Sequence, residues 1–201
     1  MKLVILGRDG ILNEYREDHV KAPQEWQPLP GALAAVARLN HAGWHAVVAT
    51  NQAGIGRGMI DMASVNAIHA HMNVQVQEQG GRLDAVFLCP HTPEEGCECR
   101  KPLPGMMRDI GRRYGVDLAQ VPVVSDTLRD LQAAQAAGCE PHLVLTGRAA
   151  ALAPAQVQAF VEQVPRTHVH ASLKALADHL IARDAASALA TAGAGDPGGR
   201  P

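Results

Sequence analysis

Aromatic side chains are nearly missing from this chain, which has two Trp, two Tyr and two Phe in 201 residues. An excess of one charge is missing as well: 18 Lys and Arg face 20 Asp and Glu, for a formal net of −2. Without a basic field or a stacking surface, nucleic acid is excluded as a partner. No apolar run approaches the ~18 residues of a membrane span, which excludes a membrane role. The first residues enter an apolar run with no cleavable signal ahead of them, so a soluble, cytoplasmic protein is expected. Cysteine is sparse, four in all, and in such a compartment thiols stay reduced or bind metal. A small anionic ligand is not excluded, because net charge does not describe one pocket.

What is present is a regular alternation. Apolar strand-like runs recur at residues 3–6, 45–50, 85–89, 122–125 and 142–146, with a further short one at 167–171. Helix-period segments lie between them at 32–40, 62–79, 104–114, 128–137 and 173–181. Pro30-Gly31 opens the first helix, Asp61 is placed to cap the second, and Gly80-Gly81 and Gly138 follow helix ends. This pattern predicts one α/β domain over residues 1–183: a three-layer, Rossmann-like parallel sheet with helices on both faces and no large cap domain. Residues 184–201 turn to Ala, Gly, Pro and Ser, and are expected to form a frayed tail.

In open parallel sheets a ligand lies beyond the carboxyl ends of the strands, and four motifs fall there. The first is Gly7-Arg8-Asp9-Gly10-Ile11-Leu12-Asn13, which taken alone reads as an ordinary turn. The second is Thr50-Asn51-Gln52-Ala53-Gly54-Ile55-Gly56-Arg57-Gly58, a hydroxyl and an amide before a glycine-rich loop whose N–H groups can cradle phosphoryl oxygen. The third places Cys89, His91, Cys97 and Cys99 in one polar loop. Three thiolates and an imidazole match tetrahedral zinc in type and number and leave no open position, so a structural Zn2+ is expected. Arg100-Lys101-Pro102 follows directly, a fork and a point charge suited to phosphate. The fourth is Ser125-Asp126-Thr127-Leu128-Arg129-Asp130, in which Asp126 is either a helix cap or a functional carboxylate. Cys139 reads as a buried free thiol, and eight of the nine histidines outside the zinc loop (His41, His45, His69, His71, His142, His168, His170 and His179) as surface or satisfied core residues.

Together these motifs resemble the haloacid dehalogenase-type phosphatases. Their first motif is Asp-x-Asp-Gly-x-x-Asn/Thr, and the string from Glu25-Trp26 through Leu29-Pro30-Gly31 to Thr50-Asn51-Gln52, together with the zinc loop, is similar to the heptose bisphosphate and histidinol phosphatase branch. The resemblance implies a Mg2+-dependent sugar phosphate phosphatase of carbohydrate and lipopolysaccharide-precursor metabolism, working through an aspartyl-phosphate. It implies Asp9 as general acid and, through its backbone, as a Mg2+ ligand. Thr50 and Lys101 would hold the phosphoryl group, and Asp126 would bind Mg2+ with Asp130 in support. Asn51, Gln52, Arg100, Tyr15 and Asp18 would contact the sugar phosphate.

At the nucleophile position the chain has Gly7. That one residue removes both the attacking oxygen and a metal ligand, and such a loss costs ~10⁴ to 10⁶-fold in turnover. Ala53 and Ser125 depart from the family's Ser and Gly. Three readings stay open on sequence alone: a phosphatase scaffold inactivated at Gly7, a phosphosugar-binding or regulatory protein, and a zinc-stabilised interaction domain.

Overall fold

The computed structural model describes residues 1–193, with side chains to residue 190. In chain order the elements are β1 (Lys2–Leu6), α1 (Ala32–His41), β2 (Trp44–Asn51), a single turn α2 (Ala53–Gly56) and α3 (Met62–Glu78). They continue as β3 (Ala85–Cys89), α4 (Gly105–Tyr114), β4 (Pro122–Ser125), α5 (Leu128–Ala137), β5 (Glu140–Val144), α6 (Pro154–Gln163), β6 (His168–His170) and α7 (Leu173–Gly193). The six strands form one all-parallel sheet in the order β3-β2-β1-β4-β5-β6. Chain order reverses between β1 and β4, and the loops leaving their carboxyl ends part to opposite sides there, opening a crevice.

Both faces of the sheet are buried, which is why its strands read as continuous apolar runs. On β1, Val4 and Leu6 pack with α1, α3 and α7. Leu3 and Ile5 point the other way, onto Met106, Met107 and Ile110 of α4 and Ala133 and Ala134 of α5. Cys139 is buried in that second layer as a free thiol, and burial pushes its pKa up to about 12. The expected cap at Asp61 forms, its carboxylate accepting from Ser64 N at 2.7 Å.

Three expectations change. Strand β5 begins at Glu140, two residues before the apolar run at 142–146, because Pro122 and Val123 of β4 pair with Glu140 and Pro141. Helix α6 was not visible, since none of its residues is fully buried. The chain does not fray at residue 184: α7 continues to Gly193, alanine being the best helix former. Asp184 is tethered by Trp44 Nε1 at 2.9 Å and Lys2 Nζ at 2.8 Å. Residues 194–201 of the expected tail lie outside the described residues.

Four histidines that read as unrelated along the chain meet where β5, β6 and α7 join. Ring centroids of His142 lie 4.9 Å from His168 and 5.2 Å from His170, and His179 stands 5.2 Å from His170. His142 Nδ1 and His170 Nε2 are 2.9 Å apart, in hydrogen-bond range. Glu140 touches His142 and His168 at 3.4 and 3.3 Å, but it is already held by Arg183 at 2.7 Å. Burial, then neighbouring imidazoles, lower His170 to about 4, and burial also lowers His142 and His179. These groups bind fewer protons folded than unfolded. Their contribution to stability is therefore complete above the unfolded value of 6.5 and is lost as pH falls from 6.5 toward about 4. Urea midpoints should drop over that window, and His170→Gln should flatten the drop; a slope unchanged in that variant would count against the cluster as its source.

Candidate active site

Strand β1 ends at Leu6, and the N–H of the next residue, Gly7, donates to Val124 O on β4 at 2.9 Å. The chain then turns through Gly10 at φ 80°, where any Cβ would run into the Asp126 carboxylate. Gly147, at φ 52° in the loop after β5, is packed against the same carboxylate and against Gly10 Cα. Thr146 Oγ1 donates to Gly10 O at 2.6 Å and Arg148 N to Asp126 Oδ2 at 2.8 Å. Three loops thus converge on Asp126, and only glycine fits at either contact. Asp126 does not cap α5, whose N-cap is Thr127. Burial pushes its pKa up to about 6, and among the described residues no basic side chain forms an ion pair with it. A buried carboxylate without a counter-charge suits a cation.

Asp9 is in the opposite condition. Arg8, almost fully buried, donates from Nη2 to both of its oxygens at 3.0 Å, while Arg8 Nη1 lies 3.2 Å from His69 Nε2 on α3. Asn13 Nδ2 adds a bond at 3.0 Å and Gln52 Nε2 one at 3.2 Å. Burial raises the Asp9 pKa, but Arg8 and these donors outweigh it and hold the carboxyl below its ordinary range. Gln52 does not line the cleft: it lies behind it, donating to Thr50 Oγ1 at 2.8 Å as well as to Asp9.

Lys101 is buried, with Nζ donating to Asp130 and, at 2.9 Å, to Ala49 O. Asn51 clamps its backbone, donating to Lys101 O at 3.0 Å and accepting from Lys101 N at 3.2 Å. Burial raises Asp130, but Lys101 and then Arg129 overcome this and keep it ionised. Removing one partner of such a buried pair strands the other charge, at about 3–5 kcal/mol.

The four predicted zinc ligands come together. Cys89 Sγ lies 3.6 Å from His91 Nδ1 and 3.6 Å from Cys97 Sγ, and Cys99 Sγ lies 3.4 Å from His91 Nδ1 and 3.5 Å from Cys97 Sγ. A zinc tetrahedron has edges of about 3.7 Å between sulfurs and about 3.5 Å from sulfur to nitrogen, so these atoms could hold Zn2+ with little movement. All four cysteines are free thiols. The loop is tied to its surroundings: Gln52 N donates to Cys89 O at 2.8 Å, Gly56 N to Pro90 O at 3.0 Å, and Arg100 Nη1 to His91 O at 3.1 Å.

These parts enclose a cleft of about 280 Å3. Of the residues singled out from sequence, Gly7, Asp9, Tyr15, Thr50, Asn51, Arg100, Lys101, Asp126 and Asp130 line it. Asp18 does not; its carboxylate faces outward, and bonds from Lys21 at 2.9 Å and Arg16 at 3.2 Å lower its pKa to about 2. Arg16 and Glu17, within the loop expected to meet the ligand, also line the cleft, as do Arg8, His19, Arg57, Arg129 and Arg148, which were not anticipated. Arg148 was within reach, because Thr146-Gly147-Arg148 follows a strand at its carboxyl end.

A family model described as HAD-hydrolase-like matches residues 98–176. The D-glycero-beta-D-manno-heptose-1,7-bisphosphate 7-phosphatase of Bordetella bronchiseptica is 59% identical over 147 residues, covering 73% of this chain and 82% of that protein. The enzyme of the same name from Pseudomonas aeruginosa is 50% identical over 146 residues, with 73% and 82% covered. Among solved structures, the D,D-heptose 1,7-bisphosphate phosphatase of B. bronchiseptica, complexed with magnesium and phosphate, superposes with a TM-score of 0.84 at 51% identity, over 91% of this chain and 99% of that one.

Proposed function

This chain belongs to the heptose bisphosphate phosphatases of the haloacid dehalogenase-like superfamily, and we propose that it binds a heptose-type sugar bisphosphate with Mg2+ but hydrolyses it at a rate near background. The observation that carries this reading is that Gly7 opens on the same cleft as Thr50, Lys101 and Asp126 while the nearest carboxylate, Asp9, has both oxygens engaged by Arg8. In this proposal residues 1–183 form the phosphatase domain. Lys101 and the Thr50 hydroxyl take the phosphoryl oxygens, and Asn51 holds Lys101 in place. Asp130 holds the Lys101 ammonium aimed, and Arg100 reads the substrate from the zinc loop. Asp126 and the main-chain carbonyl of Asp9 would hold Mg2+, which supplies Lewis-acid neutralisation of the phosphoryl charge. The uncompensated, buried Asp126 fits that cation.

One obstacle stands against turnover: no carboxylate can attack phosphorus from residue 7. Binding does not need that attack, which favours a phosphosugar-binding role for the chain as it stands.

Gly7 lies outside the left-handed region, and a Cβ there would meet Ile11 Cγ1 at 3.1 Å and Val124 O at 3.4 Å, so an aspartate fits once Ile11 gives by a few tenths of an ångström. Gly7→Asp should raise Mg2+-dependent phosphate release from a heptose 1,7-bisphosphate by about 10⁴-fold or more, and a further Asp9→Asn should remove most of the gain. Fast release by the unaltered chain would refute the proposal. The zinc assignment has its own check. Protein purified without added metal should carry about one zinc per chain, and chelation should lower the melting temperature and weaken phosphate binding through Arg100. Metal-free protein of unchanged stability would reject it.

A further inference from the structure

The cleft holds more positive charge than one phosphoryl group requires. Arg8 is committed to Asp9, Lys101 and Arg129 to Asp130, and Arg16 to Asp18. Of the remaining guanidiniums, Arg57 and Arg100 stand near the Glu94 carboxylate of the zinc loop. Arg148 is a neighbouring positive charge of Asp126, the residue that Mg2+ would claim. Like Arg57 and Arg100, Arg148 forms no side-chain ion pair among the described residues.

Its side chain is nonetheless held in place. The guanidinium lies over the Tyr15 ring, 4.1 Å from the centroid, and Nη2 donates to Tyr15 Oη at 2.5 Å. Tyr15 follows β1 and Arg148 follows β5, and the bond from Thr146 Oγ1 to Gly10 O joins the two loops beneath them. Tyr15 engages Nη2 alone, so Nε and Nη1 keep their N–H groups for an incoming anion, and the Tyr15 hydroxyl still has a proton to donate. A guanidinium fork fixed on an aromatic face, with a hydroxyl beside it, suits a phosphate monoester, and fixing it beforehand lowers the entropy lost on binding.

On the reading given under Proposed function, we propose that Arg148 and Tyr15 bind the second, non-reacting phosphate of the sugar bisphosphate and so set the preference for bisphosphate over monophosphate. The same residue links that recognition to the reacting end, because its main-chain N–H fixes Asp126.

Arg148→Ala removes the guanidinium and keeps the main-chain bond to Asp126. Calorimetric titrations of the unaltered chain, Arg148→Ala, Arg148→Lys and Tyr15→Phe would use D-glycero-D-manno-heptose 1,7-bisphosphate, its 7-monophosphate and inorganic phosphate, each with Mg2+. Arg148→Ala should weaken the bisphosphate by about 10- to 100-fold and leave the 7-monophosphate and inorganic phosphate within about twofold. Arg148→Lys should recover part of the loss, and Tyr15→Phe should show a smaller loss with the same selectivity. Equal losses for all three ligands would reduce Arg148 to a support of Asp126 and overturn the proposal, as would no loss for any. If the unaltered chain binds none of the three, the phosphosugar reading fails with it; binding of inorganic phosphate with no advantage for the bisphosphate sinks this inference alone.

Discussion

Everything at the carboxyl edge of the sheet is arranged around one buried carboxylate. Asp126 stands at the end of β4, where chain order reverses, and the loops after β1 and β5 close on it so tightly that Gly10 and Gly147 leave no space for a Cβ. A carboxylate buried without an ion-pair partner is costly, and here the Arg148 N–H, the main chain at Asp126 and the nearby Arg148 charge offset part of that cost. The positions of Gly7, Asp9 and Arg148 all follow from this packing.

Around that carboxylate the charges fall into two sets. Asp9 with Arg8 and Asp130 with Lys101 are buried pairs, satisfied within the protein and shielded from salt. They fix side chains in place. Asp126 and the guanidiniums of Arg57, Arg100 and Arg148 are not so satisfied, and on the proposed reading they take a divalent cation and more than one phosphate. Gly7 belongs to neither set. On the proposed reading its lack of a side chain removes the attacking oxygen and one metal ligand but leaves Thr50, Lys101 and the cleft arginines in place, so affinity and turnover would separate further here than in a chain with a carboxylate at that position.

How much of this was legible in the sequence depended on whether the signal was local. The strands of a sheet buried on both faces are unbroken apolar runs, and the four candidate metal ligands share eleven residues of one loop, so both could be read along the chain. Helix α6 could not, because it only leans on the fold and buries no residue fully. The helical extension beyond Arg183 hid behind a composition that resembles a linker, although alanine favours helix wherever a tether such as Asp184 holds the start. The histidine cluster was invisible for another reason: His142, His168, His170 and His179 meet only through the β5–β6 pairing and the return of α7. Gln52 and Asp18 neighbour residues that line the cleft, but the fold turns one inward to Asp9 and the other out to Lys21.

The separation of binding from chemistry at Gly7 is open to one direct measurement. The unaltered chain, with Mg2+, is titrated with D-glycero-D-manno-heptose 1,7-bisphosphate in a calorimeter while free phosphate is assayed in the same solution. Saturable binding accompanied by phosphate release no faster than in protein-free buffer is the expected result. Mg2+-dependent release over repeated turnovers, or the absence of any binding at millimolar ligand, would contradict it.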